Sequence, residues 1–244
     1  MKPYTAESYG EHIAEVYDEL YQDCERAAID VLAELAGDGS ALELGIGTGR
    51  MALPLAARGI RVCGIDAAPA MVARLRTKPA GDNLEVTIGD FAEVEVSGKF
   101  ALVYIVFNTF FNLLTQEAQV RCFRNVAAHL APGGCFLIEA FVPDMKRFDG
   151  DQTNRATKVT TEHVELDICQ HEPAEQRVVS QKMVITDGRV RLYPLQIRYA
   201  WPSELDLMAQ LAGLRLRQRW ENWQRTPFTS QSGKHVSIYE SAAP

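Results

Sequence analysis

Residues 41–50 read Ala-Leu-Glu-Leu-Gly-Ile-Gly-Thr-Gly-Arg, and the fold follows from this stretch. An apolar run carrying one acid, Glu43, passes into glycines at 45, 47 and 49 and then into a helical pattern. This describes a strand, a tight turn and a helix start, with glycine where side chains would keep a ligand away from the backbone. A dinucleotide fingerprint asks for G-x-G-x-x-G, whereas the order here is G-x-G-x-G followed by Arg50. Pyrophosphate favours the positive end of a helix, but a cationic sulfonium with an amino-acid tail is served by nearby carboxylate and carbonyl oxygens. Glu43 is expected to supply that negative charge.

Two further acids extend the pattern. Asp66 ends the next expected strand, Arg61 to Asp66, where a carboxylate can accept both hydroxyls of a ribose. That feature alone suits a nicotinamide dinucleotide equally well. A third strand near 84–89 then runs into Asp90-Phe91. Glu43, Asp66 and Asp90 would thus share the carboxyl edge of one parallel sheet, which is where open α/β sheets bind ligands.

The turn after Glu43, with Asp66 and Asp90-Phe91, resembles the class I S-adenosylmethionine-dependent methyltransferases. The resemblance implies a seven-stranded, doubly wound, mostly parallel Rossmann-like sheet with an antiparallel final strand. It implies S-adenosylmethionine as cofactor, bound by Glu43, Gly45, Gly47, Gly49, Asp66, Asp90 and Phe91, with Asp90 accepting from the adenine amino group and Phe91 packing on the ring. It runs from about residue 40 to the end, apart from an inserted ribbon. Among the branches, the chain is most similar to bacterial small-molecule N-methyltransferases of antibiotic pathways, including those acting on amino sugars and lincosamides. That likeness rests on Tyr17-Asp18-Glu19-Leu20-Tyr21 and on strands inserted after the fifth. No Asn-Pro-Pro-Tyr signature follows the fourth strand, where the chain reads Phe107-Asn108-Thr109-Phe110-Phe111-Asn112.

Composition agrees with one enzyme-sized unit. The 244 residues are 47% hydrophobic, enough for a substantial α/β core plus an insertion. The formal net charge is -7, so no general electrostatic footprint for nucleic acid or an anionic membrane is expected, and a small-molecule substrate is favoured. The opening residues lack an apolar signal core and no run reaches the roughly twenty apolar residues of a membrane span, which predicts a cytoplasmic protein. Five cysteines and five histidines show no ligand spacing, and no metal site is assigned.

Periodicity predicts helices over 6–22 and 24–37, then strands near 41–45, 61–66, 84–89, 101–107 and 135–142, with helices over 50–58, 68–76 and 115–130 between them. Ala131-Pro132-Gly133-Gly134 reads as a stop before the fifth strand. Strand-like runs at Val159–Cys169, Arg177–Ile185 and Val190–Ala200 predict three inserted antiparallel strands, the last two joined at Asp187-Gly188. A helix at Ser203–Leu211 and strands at Leu214–Trp220 and His235–Tyr239 close the chain. The expected organisation is an N-terminal helical cap (1–37), a cofactor-binding α/β domain (38–150 and 201–244) and an antiparallel substrate lid (151–200).

Tyr9, Ile13, Tyr17 and Tyr21 recur every four residues, a stripe that is either core packing or the wall of a substrate cavity. The resemblance favours Tyr9 and Tyr17 as residues near the methyl group. Asn108 and Glu139 fall at the same sheet edge, and Asn108 joins the two tyrosines as a candidate catalytic residue. His12 and His235 are the histidines placed nearest the site, while Arg50, Arg198 and Trp201 read as structural or rim residues. The expected reaction is direct displacement at the methyl carbon by an amine. O- or C-methylation and a nicotinamide-dependent oxidoreductase remain the alternatives.

Overall fold

The computed structural model describes residues 4–21, 24–93 and 95–242. Residues 1–3 and 22–23 of the expected cap, Val94, and residues 243–244 of the closing segment lie outside the described residues. The first half is the anticipated alternation: β1 (Ala41–Leu44), α4 (Ala52–Ala56), β2 (Val62–Asp66), α5 (Pro69–Arg76), β3 (Glu85–Ile88), β4 (Phe100–Ile105), α6 (Gln116–His129) and β5 (Leu130–Phe141). α7 (Pro202–Leu211), β10 (Leu214–Trp220) and β11 (Lys234–Ser241) complete it. The seven strands order as β10-β11-β5-β4-β1-β2-β3, with β11 antiparallel to both β5 and β10. β1 is an interior strand and buried at all four positions, as a strand covered on both faces must be. α6 starts where the Thr115 side chain accepts the Ala118 N–H, an ordinary N-cap.

Local expectations change in three places. The Ala131–Gly134 stretch does not interrupt the chain before β5, which runs unbroken from Leu130. A register shift opposite Phe100 and Leu102, with Gly133 at φ 75°, absorbs those residues as an irregularity within the ladder. The cap is not one helix over 6–22: α1 (Ser8–Ile13) and α2 (Tyr17–Leu20) are separated by a turn, and α3 (Arg26–Ala36) follows. The insertion holds four strands rather than three: β6 (Gln152–Val159), β7 (His163–Glu172), β8 (Arg177–Thr186) and β9 (Arg189–Arg198), paired in that order. β6 escapes sequence reading because its residues are polar and mostly exposed; it is an edge strand held by its ladder to β7 and not by an apolar face of its own. The β8–β9 turn at Asp187-Gly188 takes φ 51° and 71°, the double left-handed geometry of a tight hairpin.

The four-stranded sheet joins the rest of the molecule through a buried polar knot. Arg198, ending β9, donates to Gln119 of α6 (2.5 Å), to Gln176 (2.8 Å) and to Glu204 of α7 (2.8 Å). Gln119 returns a hydrogen bond to the Arg198 carbonyl (2.8 Å). Arg198 is therefore structural, as its sequence context implies. The cap docks differently: Gly10 of α1 sits so close to Ala68 that an added Cβ would collide with the alanine's own. Glu11 accepts the Ala70 N–H at 2.9 Å in the first turn of α5, where a carboxylate is favoured.

Candidate active site

The loops at the carboxyl ends of β1, β2 and β4 surround a cavity that the cap covers. Its wall includes Glu43, Gly45, Gly47, Asp66 and Phe91 from the α/β framework and Tyr9 and Tyr17 from the cap. Gly47, at φ 54°, sits where a Cβ would come 3.1 Å from Met71 Cε and 4.0 Å from Asp66 Oδ2. A side chain there would be strained and would fill the floor of the cavity. The Gly47 N–H donates to Asp66 Oδ2 (2.7 Å) and the Ala68 N–H to Oδ1 (2.9 Å), so the two successive loops are tied through one carboxylate. Each oxygen keeps further acceptor capacity. Burial pushes the Asp66 carboxyl up, opposed by these two backbone hydrogen bonds.

Glu43, expected to supply negative charge, lies in a setting that opposes it. It is buried with the Tyr104 hydroxyl donating to it at 3.0 Å. Burial pushes it up to about 8, against the Tyr104 hydrogen bond and with added repulsion from Asp66. Burial therefore favours the protonated form of Glu43, and a cation placed beside it would favour loss of that proton.

Three of the anticipated cofactor and catalytic residues lie outside the cavity lining. Gly49 packs its backbone against Leu75 and Leu53. Asp90 is exposed and accepts the Ala92 N–H at 2.8 Å, closing its own turn. Asn108 accepts the Phe141 N–H at 2.7 Å and so spans the ends of β4 and β5. Neither histidine belongs to the lining. His12 bonds the Ser8 carbonyl at 2.6 Å, and His235 is fully buried against Ser237, where burial and then Arg219 depress it to about 3.

Other residues enter the site unannounced. Arg50 lies in the wall, its guanidinium 3.3 Å from the Phe107 ring centroid and 5.7 Å from those of Tyr17 and Tyr21. Its place directly after the third glycine was the available signal. Asp18 of α2 accepts from Thr48 Oγ1 (2.7 Å) and Lys78 Nζ (2.7 Å), latching the cap onto the glycine turn. Burial raises the Asp18 carboxyl, yet the Lys78 and Thr48 hydrogen bonds prevail and hold it below the usual range.

A second cavity lies between the cap and the inner face of the four-stranded sheet. Tyr9 belongs to both walls. Strand alternation puts Asp167 of β7, Val178, Ser180 and Lys182 of β8, and Leu195 and Ile197 of β9 on one face of the sheet, so the second wall mixes apolar and polar side chains, with Ile13 of the cap opposite. Asp167 takes Arg147 at 3.3 Å and Ser180 at 2.7 Å. Tyr17 is pushed up to about 12 by burial, with Arg50 opposing, and Tyr9 well above the ordinary phenol value by burial and its tyrosine neighbours. Both are neutral hydroxyl groups throughout the physiological range.

Comparison with known proteins places this geometry in context. Residues 41–134 match the family described as a methyltransferase domain. The chain is similar to the cypemycin N-terminal methyltransferase of a Streptomyces species, 28% identical over 200 residues, which cover 82% of each chain. It is similar over 98% of its length, and 100% of the other's, to the structure of the CcbJ methyltransferase from Streptomyces caelestis, with 35% identity and a TM-score of 0.91. A likeness of fold extends to an S-adenosylmethionine-bound amino pentose methyltransferase of calicheamicin biosynthesis from Micromonospora echinaspora. There the TM-score is 0.68 at 22% identity, over 91% of this chain and 96% of that one.

Proposed function

The chain belongs to the class I S-adenosylmethionine-dependent methyltransferases, and from that membership we propose that it methylates an amine nitrogen of a small natural-product acceptor. S-adenosylmethionine is the cofactor; the nicotinamide alternative falls with that assignment. When bound it supplies a methyl group on a cationic sulfur that departs as a neutral thioether. The residues present fit such a group. Asp66 offers a half-buried carboxylate for ribose hydroxyls, Phe91 an apolar wall for the base, and Gly47 a backbone without a side chain. Arg50 would hold the tail carboxylate, and Glu43 brings a carboxylate whose charge a cation would stabilise.

The observation that carries the acceptor reading is Tyr9, a wall of both cavities. An amine in the sheet-lined chamber would then meet the cofactor across the cap tyrosines. A neutral amine needs alignment and water exclusion more than a base: its lone pair forms the new N–C bond, the old C–S pair stays with sulfur, and the ammonium proton leaves to solvent. Neutral Tyr9 and Tyr17 suit orientation and not proton removal. The N-terminal methyltransferase activity of the cypemycin relative supports nitrogen as the acceptor atom. The lid assignment of 151–200 and the cap assignment of 1–37 are part of this proposal.

Two measurements follow. Tyr9→Phe with Tyr17→Phe is expected to lower kcat/KM for a small-amine acceptor about 10- to 100-fold while changing calorimetric S-adenosylhomocysteine affinity less than about threefold. Full turnover in the double variant would return the stripe to packing alone. Glu43 governs the pH response: its raised carboxyl must lose a proton when a cation binds, so S-adenosylmethionine affinity is expected to fall by up to about tenfold per pH unit below about 8. Calorimetry in two buffers of different ionisation enthalpy should show proton release, absent in Glu43→Gln. A flat pH profile in the wild type would remove Glu43 from the cofactor's surroundings. The effect on folding runs oppositely, because a raised carboxyl contributes stability that is lost as pH rises from the usual carboxylate range towards about 8.

A further inference from the structure

The turn that follows β4 is held in an unusual way. Phe107 and Asn108 both adopt left-handed backbone angles, φ 58° and 63°. Asparagine tolerates that region, but a bulky aromatic does so only where its surroundings over-determine it. The surroundings here come from the end of β5. Glu139, 8% exposed, accepts the Phe107 N–H on Oε2 (3.1 Å) and the Trp223 indole N–H on Oε1 (3.2 Å). Its own carbonyl accepts the Asn108 N–H at 3.3 Å. Both oxygens of one buried carboxyl are therefore occupied by donors, and neither faces the cofactor cavity, whose lining does not include Glu139.

The product of this arrangement is the place of the Phe107 ring, which carries the Arg50 guanidinium at 3.3 Å from its centroid. With an ordinary backbone at 107 the ring would leave that face. We propose that Glu139 is a positioning residue for cofactor binding, which holds the left-handed Phe107-Asn108 turn so that the ring sets Arg50 in the cavity wall. The inference rests on assigning Arg50 to the cofactor's carboxylate. Burial raises the Glu139 carboxyl, but the Phe107 and Trp223 hydrogen bonds both favour its charged, acceptor-only form.

Glu139→Gln tests this, since an amide must turn its NH2 towards one of two donors. Binding is read by calorimetry with S-adenosylhomocysteine and with 5′-methylthioadenosine, which has the adenosine and thioether but no amino-acid tail. The variant is expected to bind S-adenosylhomocysteine at least tenfold more weakly and 5′-methylthioadenosine within twofold of wild type. Phe107→Leu is expected to show the same split, and to add less than twofold in the Glu139→Gln background. Equal weakening of both ligands, or of neither, overturns the proposal, as does full additivity of the two changes. Should Glu139→Gln not fold, Phe107→Leu alone carries the test. Arg50→Met separates the premise: if it spares S-adenosylhomocysteine, the carboxylate assignment has failed, and if it alone shows the split, only Glu139 has.

Discussion

Asp66→Ala is expected to weaken S-adenosylhomocysteine binding by about 3 kcal/mol, on the order of 100-fold. A carboxylate accepting from ribose hydroxyls contributes charged hydrogen bonds, each stronger than a neutral one. The same oxygens also receive the Gly47 and Ala68 N–H groups, so their loss frees the glycine turn from the β2 loop. The fold itself should survive, because burial already disfavours this charge and the alanine relieves it. Asp66→Asn, which keeps one acceptor, should fall between. Calorimetric affinity indistinguishable from wild type would remove Asp66 from the cofactor site.

Arg198→Met should destabilise the protein by about 2 to 3 kcal/mol, below the range for one partner of a fully buried ion pair because Glu204 is only half-buried. Glu204 is held below the usual carboxylate range because hydrogen bonds from Arg198, Gln176 and Gln116 outweigh the burial that would raise it. Without the guanidinium, Glu204 and Gln119 keep their burial but lose their charged donor. A depressed carboxyl stabilises above its unfolded value, so the deficit should be largest at neutral pH and shrink as pH falls through the acid range. Urea unfolding midpoints at two pH values measure it. Pairing Arg198→Met with Glu204→Leu should restore most of the loss, and a single variant within 1 kcal/mol of wild type would show that the knot contributes little.

The proposed cofactor corner is legible in sequence because each of its features is local. A strand end, a glycine and an acid can be read within ten residues, as at Glu43 through Gly49 and at Asp66. The seven-stranded sheet follows from the same rhythm of apolar runs. What escapes is relational. Arg50 looks like a rim residue until Phe107, far along the chain, is placed beneath it. Glu43 reads as a charge until its burial is known. β6 has no apolar alternation to announce it, only a neighbour to pair with. The break between α1 and α2 is invisible because Tyr9, Ile13, Tyr17 and Tyr21 keep their spacing across it, and all four still line one cavity or the other.

The inner wall of the four-stranded sheet has a bearing on how such a protein can diverge. Its strands are held by backbone ladders over ten residues each from β7 to β9, and those ladders are indifferent to which side chain projects inward. At Gly47, by contrast, backbone conformation and ligand space restrict the residue together. A change at Leu195 or Ile197 would therefore reshape that wall without breaking a ladder, whereas a change at Gly47 would alter backbone and cavity at once.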